Sequence, residues 1–160
     1  MSTVTVSAFI EARDVDLWRL LTDLPARADW LTAVDAVDVL TAGPFGPGTA
    51  WCERRARPDG GTEPEEFVVV EAAAPTRLVL SSRGAGVDYR ITWRLRTVER
   101  RRRGCTEVVV EQQAEPTAPY GRMLALILGG LAARAVEGAL RRDLADLAVA
   151  VAPARSAEAA

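Results

Sequence analysis

The sequence predicts an α+β fold in which an antiparallel sheet of about seven strands packs on one long C-terminal helix. A strand pattern comes first, then two short helical patterns, then strand patterns joined mainly by tight turns rich in glycine and proline, which is typical of hairpins. The last apolar segment, 120–149, is too long and too poor in β-branched residues to be a strand. Because a sheet with one apolar face must cover it, this helix is the expected cover.

The first part of the chain contains one strand and two short helices. Residues 3–10 alternate apolar with mostly polar side chains, which predicts a half-buried strand. A short helix is expected to begin at Asp14, a residue type suited to capping, and to end before Pro25. A second short helix is expected over 25–31, after which extended structure returns over 34–41.

Five further strands are expected between the turns. They cover 49–57, 65–74, 76–83, 87–97 and 105–114. In 87–97 every second residue is apolar or aromatic, so this set is expected to face the core. The set comprises Val87, Tyr89, Ile91, Trp93 and Leu95. In 105–114 the set that contains Val108, Val110 and Gln112 is expected to face inward, which would place one amide in an apolar interior.

The two halves of the C-terminal helix differ, and the helix is expected to be straight or bent at Gly129-Gly130. The second half carries one apolar stripe that should anchor it on the sheet. The stripe comprises Val136, Leu140, Leu144 and Leu147. Extended backwards, the stripe meets mainly small residues near Gly129 and Ala133, so we expect a cavity under the first half. The other apolar side, with Leu128 and Leu131, then needs cover from loops, a ligand or a partner subunit.

Composition limits the chemistry that the chain can perform. The chain has 160 residues, 49% of them hydrophobic, which fits one domain over 1–151 with a disordered tail over 152–160. It has no histidine, which excludes serine-histidine and cysteine-histidine catalysis and HExxH zinc sites. The carboxylates of Glu63, Glu65 and Glu66 lack a metal-ligand pattern, and we expect no metal and no cofactor.

Charge and hydropathy also limit the expected partners and location. The formal net charge of −2 gives no general attraction to nucleic acid, so none is expected as a partner. The N-terminus lacks the pattern of a signal peptide, and the apolar part of the C-terminal helix is bracketed by Arg122 and Arg134 at less than spanning length. We therefore expect a cytoplasmic protein without stable membrane insertion.

Several short motifs, in this order and spacing, carry a resemblance to a known superfamily. They are Val4-x-Val6-Ser7, Val15-x-Leu17-Trp18, Leu21-Thr22-Asp23, Asp29-Trp30-Leu31, Gly48-Thr49-x-Trp51 and Pro75-x-Arg77-Leu78. With the order of elements, they make the chain resemble the START-like superfamily, also called SRPBCC, in its polyketide-cyclase-like branch. The resemblance implies a helix-grip fold, in which a curved sheet wraps the last helix and leaves a hydrophobic cavity. It transfers no catalytic residue, because the superfamily has no catalytic motif in common.

Candidate ligand-binding residues come from the inner sheet face and from the first half of the helix. They are Trp51, Tyr89, Ile91, Trp93 and Gln112 on the strands, and Met123, Leu126, Ile127 and Gly130 on the helix. Tyr89 and Trp93 carry polar groups and could line a cavity for a flat ligand, or they could be ordinary core aromatics. Gln112 could orient a ligand carbonyl or satisfy the backbone.

Glu53 and Arg55 are the candidate catalytic residues. They share one strand face with Trp51, and because charged residues usually face water, a solvated pair on the outer face is the expected arrangement. If that face pointed inward, the pair would be buried and able to perform acid-base chemistry or bind a polar ligand group. Arg77 and Arg83 could bind a carboxylate at a cavity mouth or simply face water.

Three functions are compatible with these features of the sequence. The first is binding or carriage of a small hydrophobic molecule that is aromatic, polyketide-like or a lipid. The second is a polyketide cyclase or aromatase that positions a poly-β-ketone and assists proton transfer. The third is an interaction module that forms a homodimer through the second apolar side of the C-terminal helix.

Overall fold

The computed structural model confirms the α+β helix-grip architecture. The structure describes residues 1–57, 59–100 and 103–153, without the side chains of 100, 103 and 121–129. In chain order the elements are β1 (Ser2–Ile10), α1 (Asp14–Thr22), a 3-10 turn (Leu24–Ala26), α2 (Arg27–Trp30), β2 (Val34–Val39), β3 (Ala50–Ala56), β4 (Thr62–Ala73), β5 (Arg77–Gly84), β6 (Val87–Arg100), β7 (Arg103–Pro116) and α3 (Pro119–Val151). Most of the predicted tail, 154–160, lies outside the described residues.

All seven strands form one antiparallel sheet in the order β1-β7-β6-β5-β4-β3-β2. From β2 onwards each strand pairs with the next along the chain, and β1 pairs with β7, with Val6 opposite Val110. The chain must therefore cross from one sheet edge to the other between β1 and β2. The two short helices and the 3-10 turn make this crossing.

The second half of α3 holds the helix on the sheet, as its apolar stripe predicts. Leu140, Leu144 and Leu147 are buried in the main core, and Val136 packs partly against it. Fully burying one leucine side chain contributes about 1.5–3 kcal/mol, so these three residues contribute a large part of the docking free energy of α3. The helix lies against β1, β7 and α1.

The inner faces of β6 and β7 are those that the alternation predicts. Ile91, Trp93 and Leu95 are buried on β6, and Val108 and Val110 are buried on β7. The β6–β7 strands extend beyond the predicted 87–97 and 105–114, because backbone pairing continues into the charged residues of the hairpin. Among the described residues, no helix combines the length and apolar character needed to cross a membrane.

Candidate functional site

A cavity of about 1080 Å³ lies between the inner face of the sheet and α3. Its sheet wall is apolar in the middle, where Phe67, Leu80, Ile91 and Trp93 line it. The cavity opens where lining residues are exposed: at the β3–β4 connection, at the β5–β6 turn around Gly84, and along α3, where Arg134, Ala135, Gly138, Ala139 and Arg142 are exposed. Cavities that hold small molecules commonly have volumes of roughly 300–1,000 Å³, so this space is large enough for one.

The described part of the helix wall lies in the second half of α3, and a cavity under the first half stays a prediction, because the side chains of 121–129 lie outside the described residues. The described lining residues on α3 run from Arg134 to Asp143, and Gly130 is exposed and does not line the cavity. Small residues continue past the double glycine as Ala135, Gly138 and Ala139, and their missing bulk leaves the space. The side chains of Met123, Leu126 and Ile127 lie outside the described residues.

Four of the five strand candidates line the cavity, namely Tyr89, Ile91, Trp93 and Gln112. Gln112 is half-buried and lies opposite Ile91 in the β6–β7 register. Trp51 is a core residue instead: it is fully buried, its ring centroid lies 5.4 Å from that of Phe67, and it does not line the cavity.

Of the two arginines proposed for a cavity mouth, Arg83 lies there and Arg77 does not. Arg83 lines the cavity and is exposed. The Nε of Arg77 lies 3.0 Å from Glu71 Oε1, and Arg77 is not a lining residue.

The face of β3 that carries Glu53 and Arg55 points inward, so the expectation of a solvated pair is wrong. Glu53 is 0% exposed. Its Oε1 accepts hydrogen bonds from Arg27 Nε at 2.5 Å and from Trp51 Nε1 at 2.9 Å, and its Oε2 accepts one from Arg55 Nη1 at 2.9 Å. Because side chains alternate along a strand, the burial of Trp51 places both charged residues on the same inner face.

Arg55 joins the sheet to the helix. Its Nη2 donates to both carboxylate oxygens of Asp143 on α3, each at 2.9 Å. Its Nε lies 4.0 Å from Glu65 Oε2 on β4. Arg27, Glu53, Arg55, Glu65 and Asp143 form what we call the charge cluster; four of them line one end of the cavity, and Glu53 lies behind them.

Burial and charge shift the pKa values of this cluster in opposite directions. Burial alone raises the pKa of Glu53, but the charges of Arg27 and Arg55 outweigh it, so the pKa of Glu53 is lowered and this carboxylate stays charged. Burial lowers the pKa of Arg55, but Asp143 and Glu53 outweigh it, so the guanidinium keeps its proton. The pKa of Asp143 is raised by burial, which Arg55 offsets only in part.

Glu65 is a second carboxyl group of the cluster whose pKa is raised. Burial raises its pKa, Arg55 opposes this effect, and the charges of Glu53 and Asp143 reinforce it. The cluster contains three carboxyl groups and two guanidinium groups, and both arginines make their shortest contacts to Glu53 or Asp143. Glu65 is therefore the least well paired, and it is a half-buried residue of the cavity wall.

Three members of the cluster were not candidates from the sequence, although each lies on an apolar pattern. Asp143 follows Leu140 by three residues and precedes Leu147 by four, which places it on the buried stripe of α3. Arg27 and Glu65 are in comparable positions, since Arg27 lies between the buried Leu24 and Leu31, and Glu65 precedes the buried Phe67 by two residues. Because charged residues were expected to face water, this spacing was not interpreted as burial of the three side chains.

Several solved structures have the same fold as this chain. TTHA0849 from Thermus thermophilus superposes with a TM-score of 0.73 at 20% identity, covering 94% of this chain and 97% of that one. CV1439 from Chromobacterium violaceum gives a TM-score of 0.66 at 18% identity, covering 96% and 99%. Ara h 8.0201 gives 0.62 at 13% identity, covering 94% and 97%. At these identities the likeness shows the fold alone.

The sequence itself carries the assignment to a family. A comparison with curated proteins finds no match. Residues 1–152, which include every strand, all of α3 and both walls of the cavity, match the family described as polyketide cyclase / dehydrase and lipid transport. The chain therefore belongs to the polyketide cyclase/dehydrase and lipid transport family.

Proposed function

We propose that this protein binds or carries a small hydrophobic molecule, aromatic or polyketide-like, in the cavity between the sheet and α3. The observation that carries this proposal is the apolar wall of Phe67, Leu80 and Trp93 next to the charge cluster in one space of about 1080 Å³. Burying 200 Å² of apolar ligand surface would contribute roughly 5 kcal/mol before the cost of association, enough to hold an aromatic molecule.

The polar part of the lining favours a ligand with oxygen-containing substituents over a plain hydrocarbon chain. Tyr89, Ser82 and Gln112 offer hydroxyl and amide groups along the wall. A saturated chain lying against Tyr89 and Gln112 would give their polar groups no hydrogen-bond partner, which is unfavourable in a partly buried site. Hydroxyl or carbonyl groups on the ligand would satisfy them, as expected for aromatic and polyketide-like molecules.

Filling the cavity from α3 provides a test. Gly138 lines the cavity, and a Cβ added there meets no atom within 4 Å, so Gly138→Leu fills space without a clash and replaces a glycine in a helix. Gly130→Leu is the matched control, because Gly130 is on the same helix, is equally open and does not line the cavity. The probe is N-phenylnaphthylamine, a neutral dye whose fluorescence rises in apolar sites.

The proposal predicts that wild type and Gly130→Leu bind the dye with the same Kd. Gly138→Leu should weaken binding by roughly tenfold or more, because a leucine side chain occupies part of the apolar volume. Circular dichroism and urea unfolding check that both variants stay folded. Equal binding by the two variants, or no binding by wild type, would contradict the proposed site.

Proton-transfer chemistry on a β-ketone is the second candidate function. Glu65 favours it, because a poorly paired carboxyl group with a raised pKa faces the cavity and can exchange a proton with a bound ligand. Arg55 lies 4.0 Å from it, and Tyr89 lines the same wall. An enolate formed by loss of a proton to Glu65 would be stabilised by these two donors.

Benzoylacetone, a simple aromatic β-diketone, is a suitable probe for this second function. If Glu65 transfers protons, the protein should accelerate exchange of the central methylene protons for deuterium, as followed by NMR in D2O. Glu65→Gln should abolish the acceleration and leave binding of N-phenylnaphthylamine in place, whereas Glu66→Gln on the outer face should have no effect. Dye binding without any accelerated exchange would exclude this function and leave the carrier.

A further inference from the structure

The mouth of the cavity carries arginines that have no counter-charge among the described residues. Arg83 on β5 and Arg134 and Arg142 on α3 all line the cavity and are exposed. None of the three makes an ion pair or a side-chain hydrogen bond with any described residue. They lie on both walls of the opening, since β5 belongs to the sheet and α3 covers it.

The other lining charges are largely neutralised within the structure. Arg27 and Arg55 are held by Glu53 and Asp143, and Arg57 lies 3.0 Å from Asp59. Of the lining carboxylates, Asp143 and Glu65 face Arg55. Glu63 has no arginine partner among the described residues, and the charge cluster holds one carboxylate more than it has guanidinium groups, so the three unpaired arginines leave an excess of one positive charge around the cavity.

This local excess is opposite in sign to the protein as a whole, whose formal net charge is −2. An opening lined by one sign of charge attracts ligands of the other sign, and a guanidinium matches the planar or tetrahedral oxygens of acidic groups. Arg134 and Arg142 are eight residues apart, about 12 Å along the helix, so the two guanidinium groups mark two positions along the α3 side of the opening.

We propose that the cavity selects amphipathic ligands that carry one anionic group, a carboxylate, sulfonate or phosphate. The hydrophobic part enters against Leu80 and Trp93, and the anion stays at the mouth against Arg83, Arg134 and Arg142. This inference rests on the proposed binding function and adds the chemical class of the ligand. It also gives the ligand an orientation, with the anion outward and the apolar end toward the sheet.

Two dyes that differ by one anionic group provide the test. Anilinonaphthalene sulfonate is N-phenylnaphthylamine with an added sulfonate, so the pair isolates the contribution of the charge. The variants are a triple substitution of Arg83, Arg134 and Arg142 to Gln, and a matched triple substitution of Arg54, Arg90 and Arg94 to Gln. The second set is also exposed, makes the same change in net charge and does not line the cavity.

The proposal predicts that the mouth variant raises the Kd of the sulfonate dye by roughly tenfold or more, since each exposed charge pair is worth up to about fivefold. The neutral dye should bind the mouth variant as it binds wild type, and circular dichroism with urea unfolding checks that the variant is folded. Raising NaCl from about 0.02 to about 0.5 M should weaken only the sulfonate dye. The control variant should change neither Kd.

Three results would overturn the inference, and they are distinguishable. If the two dyes respond alike to salt and to the mouth variant, the arginines do not select anions. If the control variant weakens the sulfonate dye as much as the mouth variant does, the effect is one of net charge. If neither dye binds wild type, the proposed binding function fails and the ligand class fails with it.

Discussion

Replacing Glu53 by glutamine is the most informative change to the charge cluster. The substitution keeps the shape of the side chain and removes its charge. A glutamine oxygen at the Oε1 position can still accept from Trp51 and Arg27, but the amide nitrogen then faces Arg55 Nη1, donor against donor, where the carboxylate accepts at 2.9 Å. The two arginines are 7% and 15% exposed at the side chain, so water replaces little of the lost partner.

The magnitude follows from that burial. Removing one partner of a buried ion pair costs about 3–5 kcal/mol, and Arg27 would lose the carboxylate with which it pairs, whereas Arg55 would keep Asp143. Glu137→Gln is the matched control, since Glu137 pairs with Arg141 on the surface of α3 and such pairs contribute about 0.5 kcal/mol or less. The assay is urea unfolding followed by tryptophan fluorescence, with the free energy of unfolding compared among wild type and both variants. A loss below about 1 kcal/mol for Glu53→Gln, no larger than for the control, would refute the view that this carboxylate is the required partner of the buried Arg27.

Two further predictions concern the walls of the cavity. Because the pKa of Glu65 is raised in the folded state, its contribution to the free energy of unfolding increases as pH falls through that raised pKa toward the ordinary value of 4.5. Glu65→Gln should lack this gain, so the difference between its urea midpoints at about pH 5 and about pH 7 should be smaller than the same difference for wild type. An equal difference in the two proteins would contradict the raised pKa of Glu65. At Gly84 an added Cβ would lie 3.0 Å from Tyr89 Cε2 and 3.3 Å from the Val87 carbonyl oxygen, so Gly84→Ala should cost about 1 kcal/mol or more. Gly46→Ala, with no atom within 4 Å of the new Cβ, should cost less, and equal losses in urea unfolding would show that the contact with Tyr89 is not tight.

The order of elements could be predicted because the signals for it are local. Alternation along β6 and the four-four-three spacing from Val136 to Leu147 each depend on one stretch of chain, and the turns are marked by glycine and proline. A single stretch therefore shows which of its own residues face the core. It does not show what those residues meet there.

The inner face of β3 could not be predicted for this reason. Glu53 and Arg54 both carry charge, so alternation alone leaves either face open. The residues that make burial of Glu53 possible are distant in the chain: Arg27 is 26 positions from Glu53, and Asp143 is 88 positions from Arg55. Only the folded sheet brings them together, and the average preference of charged residues for water points the other way.

The lining residues in the second half of α3 were not predicted, and a cavity under the first half stays a prediction. Small residues occur on both sides of Gly129-Gly130, and the apolar stripe extended backwards pointed only to the set near Gly129 and Ala133. In the structure the described space lies beside Ala135, Gly138 and Ala139. Leu131 is 70% exposed, and a homodimer through that side of α3 stays a prediction.

The isoleucine methyl groups test the binding site most directly. The sequence contains three isoleucines: Ile91 lines the cavity, Ile10 is buried in the core away from it, and the side chain of Ile127 lies outside the described residues. In protein labelled at the isoleucine δ1 methyl groups, titration with N-phenylnaphthylamine should shift the Ile91 signal and leave the Ile10 signal in place. A shift at Ile127 would support its predicted role in ligand binding. Saturating dye with an unmoved Ile91 signal would contradict a ligand site between the sheet and α3.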